Sequence, residues 1–315
     1  MKACLVCGHA SFRVLFAATD RLYGTTTRQF HVEGCDACGL MRLAPPPAPQ
    51  DLPLYYPPHY WYAPDATLAG GLEERYRRLV LRDHVRFVAR ALADSRVSGP
   101  VLDVGCGGGL FPRLLRKRGF PAIGLDSSPE AASVAWHANH VPVLCGDLAH
   151  APLAPATCAG LTMFHVLEHL YDPRAYLDAA RLLLKPNGRL IVQVPNAASW
   201  QFHLLGARWN GVDAPRHLTN FRVRDLEALL ASTGFQVLRR KYFSLRDNPA
   251  GLATSLAPSL DPMARRIRAL PETPRARMLK NLAYLALLAA ALPFTLLEAA
   301  CRAGSTIMLE ARKSP

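Results

Sequence analysis

The chain has few acids: 24 Asp and Glu stand against 37 Lys and Arg, a formal net charge of +13 over 315 residues. That surplus suits a nucleic acid, an anionic membrane surface or an acidic substrate, but it speaks to attraction and not to fold. Cysteine is too sparse for a disulfide scaffold, since four of the eight fall in two CxxC pairs, a metal pattern that fits a reducing cytoplasm. The opening MKACLVCGHASF holds no apolar core of signal-peptide length, so export is not expected. A basic-aromatic stripe of the kind that stacks single-stranded bases is also missing. What the chain does not lack is apolar residues, 50% of the total, enough to bury the core of one large domain or two unequal ones.

The two knuckles, Cys4-Leu5-Val6-Cys7-Gly8 and Cys35-Asp36-Ala37-Cys38-Gly39, each present two thiolates. Together Cys4, Cys7, Cys35 and Cys38 close a tetrahedral site, which predicts structural Zn2+ in a small β module over residues 1–45. His9 and His31 read as bystanders, and Cys106, Cys145, Cys158 and Cys301 as buried thiols. Residues 46–98 begin with a proline- and aromatic-rich stretch that reads as an ordered wrapping linker, then a single helix over Leu72–Leu92.

From residue 99 to 315 the candidate strands are VLDVG, PAIGLD, VPVLCGD, AGLTMFHV, GRLIVQVP, FQVLRR and STIMLEA. Helical segments stand between most of them, the pattern of an α/β protein with a mostly parallel sheet covered on both faces. The last two are separated by an insertion at about 249–303. Its first part carries Arg265, Arg266, Arg268, Arg275, Arg277 and Lys280 against Asp261 and Glu272, and residues 281–297 carry no charge. Three roles are open for that segment: contact with a membrane surface, a core or homodimer helix, and a true span, with Pro293 expected to break the run.

In VLDVGCGGGL a strand turns through Gly105, Gly107 and Gly109 into a helix, so backbone approaches a ligand closely. Asp103 beside that loop would repel a pyrophosphate and attract a cation. Asp126 ends the next strand, where an acid reaches ribose hydroxyls, and Asp147 ends the third. Three acids at three successive strand ends describe a nucleoside carrying a positive charge.

With those motifs, and LLKPNGRLIVQVPN making the turn into the fifth strand, the segment from about Val101 to Pro195 resembles a class I S-adenosylmethionine-dependent methyltransferase. The resemblance implies a Rossmann-like sheet of seven strands with STIMLEA antiparallel. It implies S-adenosyl-L-methionine held by Asp103, Gly105, Cys106, Gly107 and Gly109 at the methionine, Asp126 and Ser127 at the ribose, and Asp147 with Leu148 at the adenine, with His165 beside them.

Catalytic candidates follow the fourth strand in MFHVLEHLYDP: His165, Glu168 and His169. The run is similar to the Glu-x-x-Glu-His motif of quinone-biosynthesis O-methyltransferases, associated there with a divalent metal, but His165 stands in place of the first glutamate. A transition metal on the His/Glu/His set and His165 as general base are both open. A second constellation, RWNGVDAPRHLTNF, resembles the D-x-P-R-H segment of bacterial methyltransferases that modify sugars or lipids. Trp209, Asp213, Arg216 and His217 are expected to form a lid over the acceptor, with Arg216 apt for an anionic substrate and His217 first for proton transfer. The zinc-ribbon order resembles bacterial sugar C-methyltransferases.

The leading reading is therefore a cytoplasmic methyltransferase, peripheral to the inner face of a membrane, acting on a small-molecule, sugar or lipid-linked acceptor. The competing reading is an RNA-binding or RNA-modifying protein using ribbon and charge. It is disfavoured because HVLEHL stands where base methylases carry an Asn/Asp-Pro-Pro-aromatic run. A NAD-dependent dehydrogenase is disfavoured by Asp103 and by GxGxG spacing.

Overall fold

The computed structural model describes residues 3–56 and 68–314, without the side chains at 68–70 and 72. The later part of the linker, residues 57–67, lies outside the described residues.

The N-terminal segment is an antiparallel meander of β1 (Phe12–Ala18), β2 (Phe30–Cys35) and β3 (Met41–Ala44). The alternation FHVEGC turns Phe30 and Val32 inward and His31 to solvent. Beyond a short helix α1 (Leu52–Tyr55), the expected single helix is two, α2 (Leu68–Val80) and α3 (Arg82–Ser95), hinged at Leu81. The hinge re-aims the apolar face, so that Val85, Val88, Ala91 and Leu92 of α3 pack onto the main sheet with Ile191 and Met308.

The main sheet follows in chain order: β4 (Val101–Val104), α4 (Leu110–Arg116), β5 (Ala122–Asp126), α5 (Pro129–His137), β6 (Val143–Cys145), β7 (Cys158–Phe164), α6 (Pro173–Leu183) and β8 (Leu184–Pro195). Then come α7 (Trp200–Leu205), β9 (Thr219–Asn220), α8 (Val223–Ser232), β10 (Phe235–Lys241), α9 (Asn248–Leu256), α10 (Pro262–Ile267), α11 (Pro274–Ala300) and β11 (Thr306–Lys313). Among the described residues seven strands form one sheet in the order β10-β11-β8-β7-β4-β5-β6, with β11 antiparallel to both neighbours. All four residues of β4 are buried, as parallel strands covered on both faces require. The seven strands expected from the sequence are these seven. The KPNG turn is absorbed into the start of β8 as a bulge, where pairing jumps from Cys158↔Leu184 to Gly160↔Arg189.

β9 does not join that sheet. It pairs with β3 through Met41↔Asn220 and Arg42↔Thr219, making the N-terminal meander four-stranded. Cys4, Cys35 and Leu40 lie in the same apolar cluster as β4, β7 and α8, so the cysteine module is packed into the molecule.

Two expectations about the periphery are corrected. Cys145 and Cys301 are exposed, because one ends the short edge strand β6 and the other ends α11; Cys106 and Cys158 are buried. Helix α11 also runs unbroken through Pro293. Pro293 and Ala289 both lie on the exposed side, where the carbonyl that proline leaves without a helical partner meets solvent.

Candidate active site

The loops that leave the carboxyl ends of β4, β5, β6 and β7 share one edge of the sheet, where open α/β sheets bind ligands. Register sets Asp103 of β4 between Gly124 of β5 and Thr162 of β7. The Thr162 hydroxyl donates to the Asp103 carboxylate at 2.5 Å, a partner that sequence reading did not find because only pairing brings it there. Burial, with Asp126 nearby, pushes the Asp103 carboxyl up to about 7.

Gly105, Gly107 and Gly109 all take positive φ, of 69°, 52° and 78°. A Cβ on Gly105 would meet Val166 at 2.6 Å, so the loop is backed by the turn that follows β7. Cys106 turns away from the loop into the space left by Gly124, where a Cβ would meet its sulfur at 2.5 Å; its contribution to the loop is packing. Behind the loop Asn139 donates to the Gly108 carbonyl at 2.6 Å and is itself held by Arg113 at 2.8 Å.

Asp126 accepts from the Gly107 N–H at 2.8 Å and from Ser128, and burial pushes its carboxyl up against those donations. Ser127 beside it is exposed. Asp147 is half-buried just beyond the end of β6; it caps the following turn, and its contact with the His150 ring holds its carboxyl below the usual range. Leu148 is buried next to it.

The turn after β7 carries the catalytic candidates. His165 adopts φ 56°, a left-handed conformation rare for a residue with a side chain. Its Nδ1 lies 3.1 Å from Glu168, and its Nε2 lies 3.4 Å from Asp247 and 2.8 Å from the Gln193 amide nitrogen. Burial opposes a charge on this ring, but Asp247 and Glu168 overcome it and raise the group to about 9. The Gln193 amide donates to Asp247 at 2.7 Å, while its oxygen has no partner among the described residues. The two flanking carboxylates favour His165 as a held cation over a proton acceptor. Asp247 carried no signal in the sequence, since SLRDNP reads only as the start of a helix.

His169 behaves oppositely. Burial and the neighbouring His217 push it down to about 4, so it is neutral at pH 7. Its Nδ1 lies 3.0 Å from the Tyr56 hydroxyl, which brings the described part of the wrapping linker to the site. His217, donated by the segment between α7 and β9, stacks edge-on to His169 with ring centroids 4.7 Å apart. Ligand atoms of Glu168, His169 and His217 lie within 4.8 Å of one another, and one buried Glu168 oxygen has no partner among the described residues. Thus the structure brings together Glu168, His169 and His217, and turns His165 toward Asp247.

Of the remaining lid residues, Arg216 corrects its expectation. It is fully buried, paired with Asp20 and Asp213 at 2.7 Å each and stacked on Tyr23. An arginine spent on two internal carboxylates is not offered to an anionic substrate. Trp209 is likewise buried, against Phe202, and is core to this segment.

The four knuckle thiols lie within 4.8 Å of one another, with Cys4–Cys38 at 3.5 Å and Cys7–Cys35 at 3.6 Å. Burial opposes ionisation of Cys35, but N–H donation from Cys38 and Ala37 brings it down to about 6. The knuckles face α8, where Arg222 donates to the Cys38 carbonyl at 2.8 Å.

A family model described as a methyltransferase domain matches residues 73–240. A ubiquinone biosynthesis O-methyltransferase of Pectobacterium carotovorum is 31% identical over 172 residues, covering 51% of this chain and 72% of the relative. Another, from Cereibacter sphaeroides, is 34% identical over 116 residues, covering 35% of this chain, and the chain spans 47% of its length. A solved structure titled "putative sarcosine dimethylglycine methyltransferase" from Galdieria sulphuraria shares the fold, with a TM-score of 0.52 at 16% identity over 76% of this chain and 88% of that one.

Proposed function

We propose an acceptor and a division of labour for a chain that belongs to the methyltransferase domain family and is an S-adenosylmethionine-dependent methyltransferase: it methylates an oxygen of a small-molecule, sugar or lipid-linked acceptor. The observation that carries this is the convergence of Glu168, His169 and His217 in and beside the turn whose Val166 backs the glycine loop. That places proton- or cation-handling groups next to the cofactor cradle, which an acceptor that keeps a proton requires and a quaternising nitrogen does not. The relatives named as O-methyltransferases support the same choice.

The donor residues fit the cofactor. Two buried carboxylates, Asp103 and Asp126, share a site in which burial raises both, an electronegative cradle suited to a positive charge and to hydroxyl donors. When bound, S-adenosylmethionine supplies a methyl group on a cationic sulfur whose departure needs no protonation. Asp103 would pair with the cationic end, Asp126 accept from the ribose, and Asp147 with Leu148 border the adenine. His165, clamped by Asp247 and Glu168, fixes the turn that carries Glu168 and His169.

Glu168, His169 and His217 are also the donor set that fits a divalent cation, because they can offer a carboxylate oxygen and two ring nitrogens within 4.8 Å of one another, and one buried Glu168 oxygen has no partner among the described residues. Such an ion would acidify an acceptor hydroxyl; without one, the same groups accept its proton. The four thiols fit zinc, since Zn–S bonds of about 2.3 Å in a tetrahedron set sulfurs about 3.8 Å apart. A closed Cys4 site leaves no open position, so its role is to hold the N-terminal sheet in place.

The test is transfer of labelled methyl from S-adenosylmethionine to a panel of hydroxylated small molecules, sugars and polyprenyl-linked sugars, with and without chelator. Glu168→Gln and His217→Ala should lower turnover by about a hundredfold or more, with S-adenosylhomocysteine affinity unchanged by calorimetry. Transfer that reaches only nitrogen or carbon acceptors would overturn the oxygen assignment.

A further inference from the structure

We propose that α11 lies in the plane of an anionic membrane surface, its outward face among the lipid chains and the cations of its first turn against the headgroups. Helix α11 has 27 residues and is long and apolar enough by composition to cross a bilayer, yet only 22% of its most apolar stretch is buried. A core helix is excluded by that exposure. Met278, Leu279, Leu282, Leu285, Leu296 and Leu297 are 48–62% exposed, and exposed alanines and Pro293 fill the intervals between them. They form one stripe, opposite Tyr284, Ala291, Thr295 and Glu298, which are buried. A continuous apolar stripe of this length facing water marks an interaction surface.

Both ends of the helix are tied to the same body. Near its start, Lys280 and Arg265 both reach Glu272 at 2.7 Å, and Tyr284 bonds Thr254 of α9 at 2.9 Å. Near its end, Glu298 accepts from the Gln201 backbone and side chain of α7, each at 3.0 Å. The insertion leaves the sheet after β10 and re-enters at Thr306, which pairs with Pro195 at the carboxyl end of β8. A helix pinned at both ends to one side of a folded domain cannot traverse a bilayer; it lies on it.

Charge selects the lipid. The two acids of the segment are used internally: Asp261 caps α10 and accepts from Thr254, and Glu272 is bridged by Arg265 and Lys280. Arg275 and Arg277 stand exposed in the first turn of α11, where the helix dipole disfavours cations and the turn itself holds no acid. Their placement does not serve the helix, but it meets anionic headgroups bordering an apolar stripe. Because the insertion springs from the carboxyl edge, docking would bring the site's edge of the sheet toward the bilayer, in keeping with a lipid-linked acceptor.

The experiment is flotation of the 315-residue, zinc-loaded chain with phosphatidylcholine vesicles and with vesicles also containing phosphatidylglycerol, alongside light scattering of the protein alone. The protein should float with the anionic vesicles and bind the neutral ones about tenfold more weakly. Leu282→Glu combined with Leu297→Glu should lose about tenfold or more on both, and Arg275→Glu with Arg277→Glu should erase the preference between them. Both pairs alter exposed residues and should keep S-adenosylhomocysteine binding, which reports the fold without requiring activity. Equal flotation of the wild type and the double leucine variant, or a stable dimer that ignores vesicles, would overturn the proposal, the latter by showing a second copy on the stripe.

Discussion

Asp247 reaches Nε2 of His165 at 3.4 Å, so the residue that opens the helical insertion also holds the imidazole that follows β7. The same carboxylate accepts from Ser244 and Gln193, each of which fixes it further. The insertion and the turn after β7 are thereby joined through one carboxylate.

Asp247→Asn should lower methyl transfer by about tenfold or more while leaving cofactor affinity intact, as expected of a positioning residue. His165 is raised from 6.5 to about 9 in the folded protein, so its stabilising charge is fully present below pH 6.5 and is lost as pH rises through 9. Denaturant titrations of the wild type should show that loss, and the variant should show less of it. An unchanged pH dependence would mean that Asp247 does not hold the charge.

Asp103 shows the reverse of ordinary carboxylate behaviour. Its folded value of about 7 lies above 3.8, so the folded state binds the extra proton and stability falls as pH rises across that window. Asp103→Asn should therefore melt several degrees higher than wild type at pH 8 without ligand, and should bind S-adenosylmethionine poorly. In the wild type, cofactor binding below pH 7 should release a proton, seen by calorimetry in buffers of different ionisation enthalpy.

Arg216→Ala leaves Asp20 and Asp213 facing each other without a cation. Breaking a buried pair in this way costs about 3–5 kcal/mol, and because Asp20 lies between β1 and β2 the loss should release the N-terminal sheet. Urea unfolding gives the energy, and limited proteolysis after residue 18 reports the release.

Metal analysis should find about one zinc per chain, as four thiolates closing a single site require. Cys7→Ser should reduce that content and lower the melting temperature, with cofactor affinity falling less than stability. Full zinc retention in the variant would assign the metal elsewhere.

The sequence by itself determined the sheet and the glycine loop. Apolar runs ending in acids fix parallel strands, and glycines at 105, 107 and 109 are required where backbone turns at positive φ. The CxxC knuckles are equally local, since two thiols per turn need only one partner knuckle. Tertiary structure decided what each polar side chain faces. Arg216 and His217 are adjacent in the chain, yet one is consumed by Asp20 and the other joins Glu168 and His169. Asp247 and Thr162 gain their roles only through strand pairing and loop closure, and the exposed stripe of α11 exists because its other face found α9 and α7 to pack on. Local propensity and periodicity are properties of neighbouring residues, whereas burial and charge pairing depend on which distant residues arrive at the same place, and that is set by the fold as a whole.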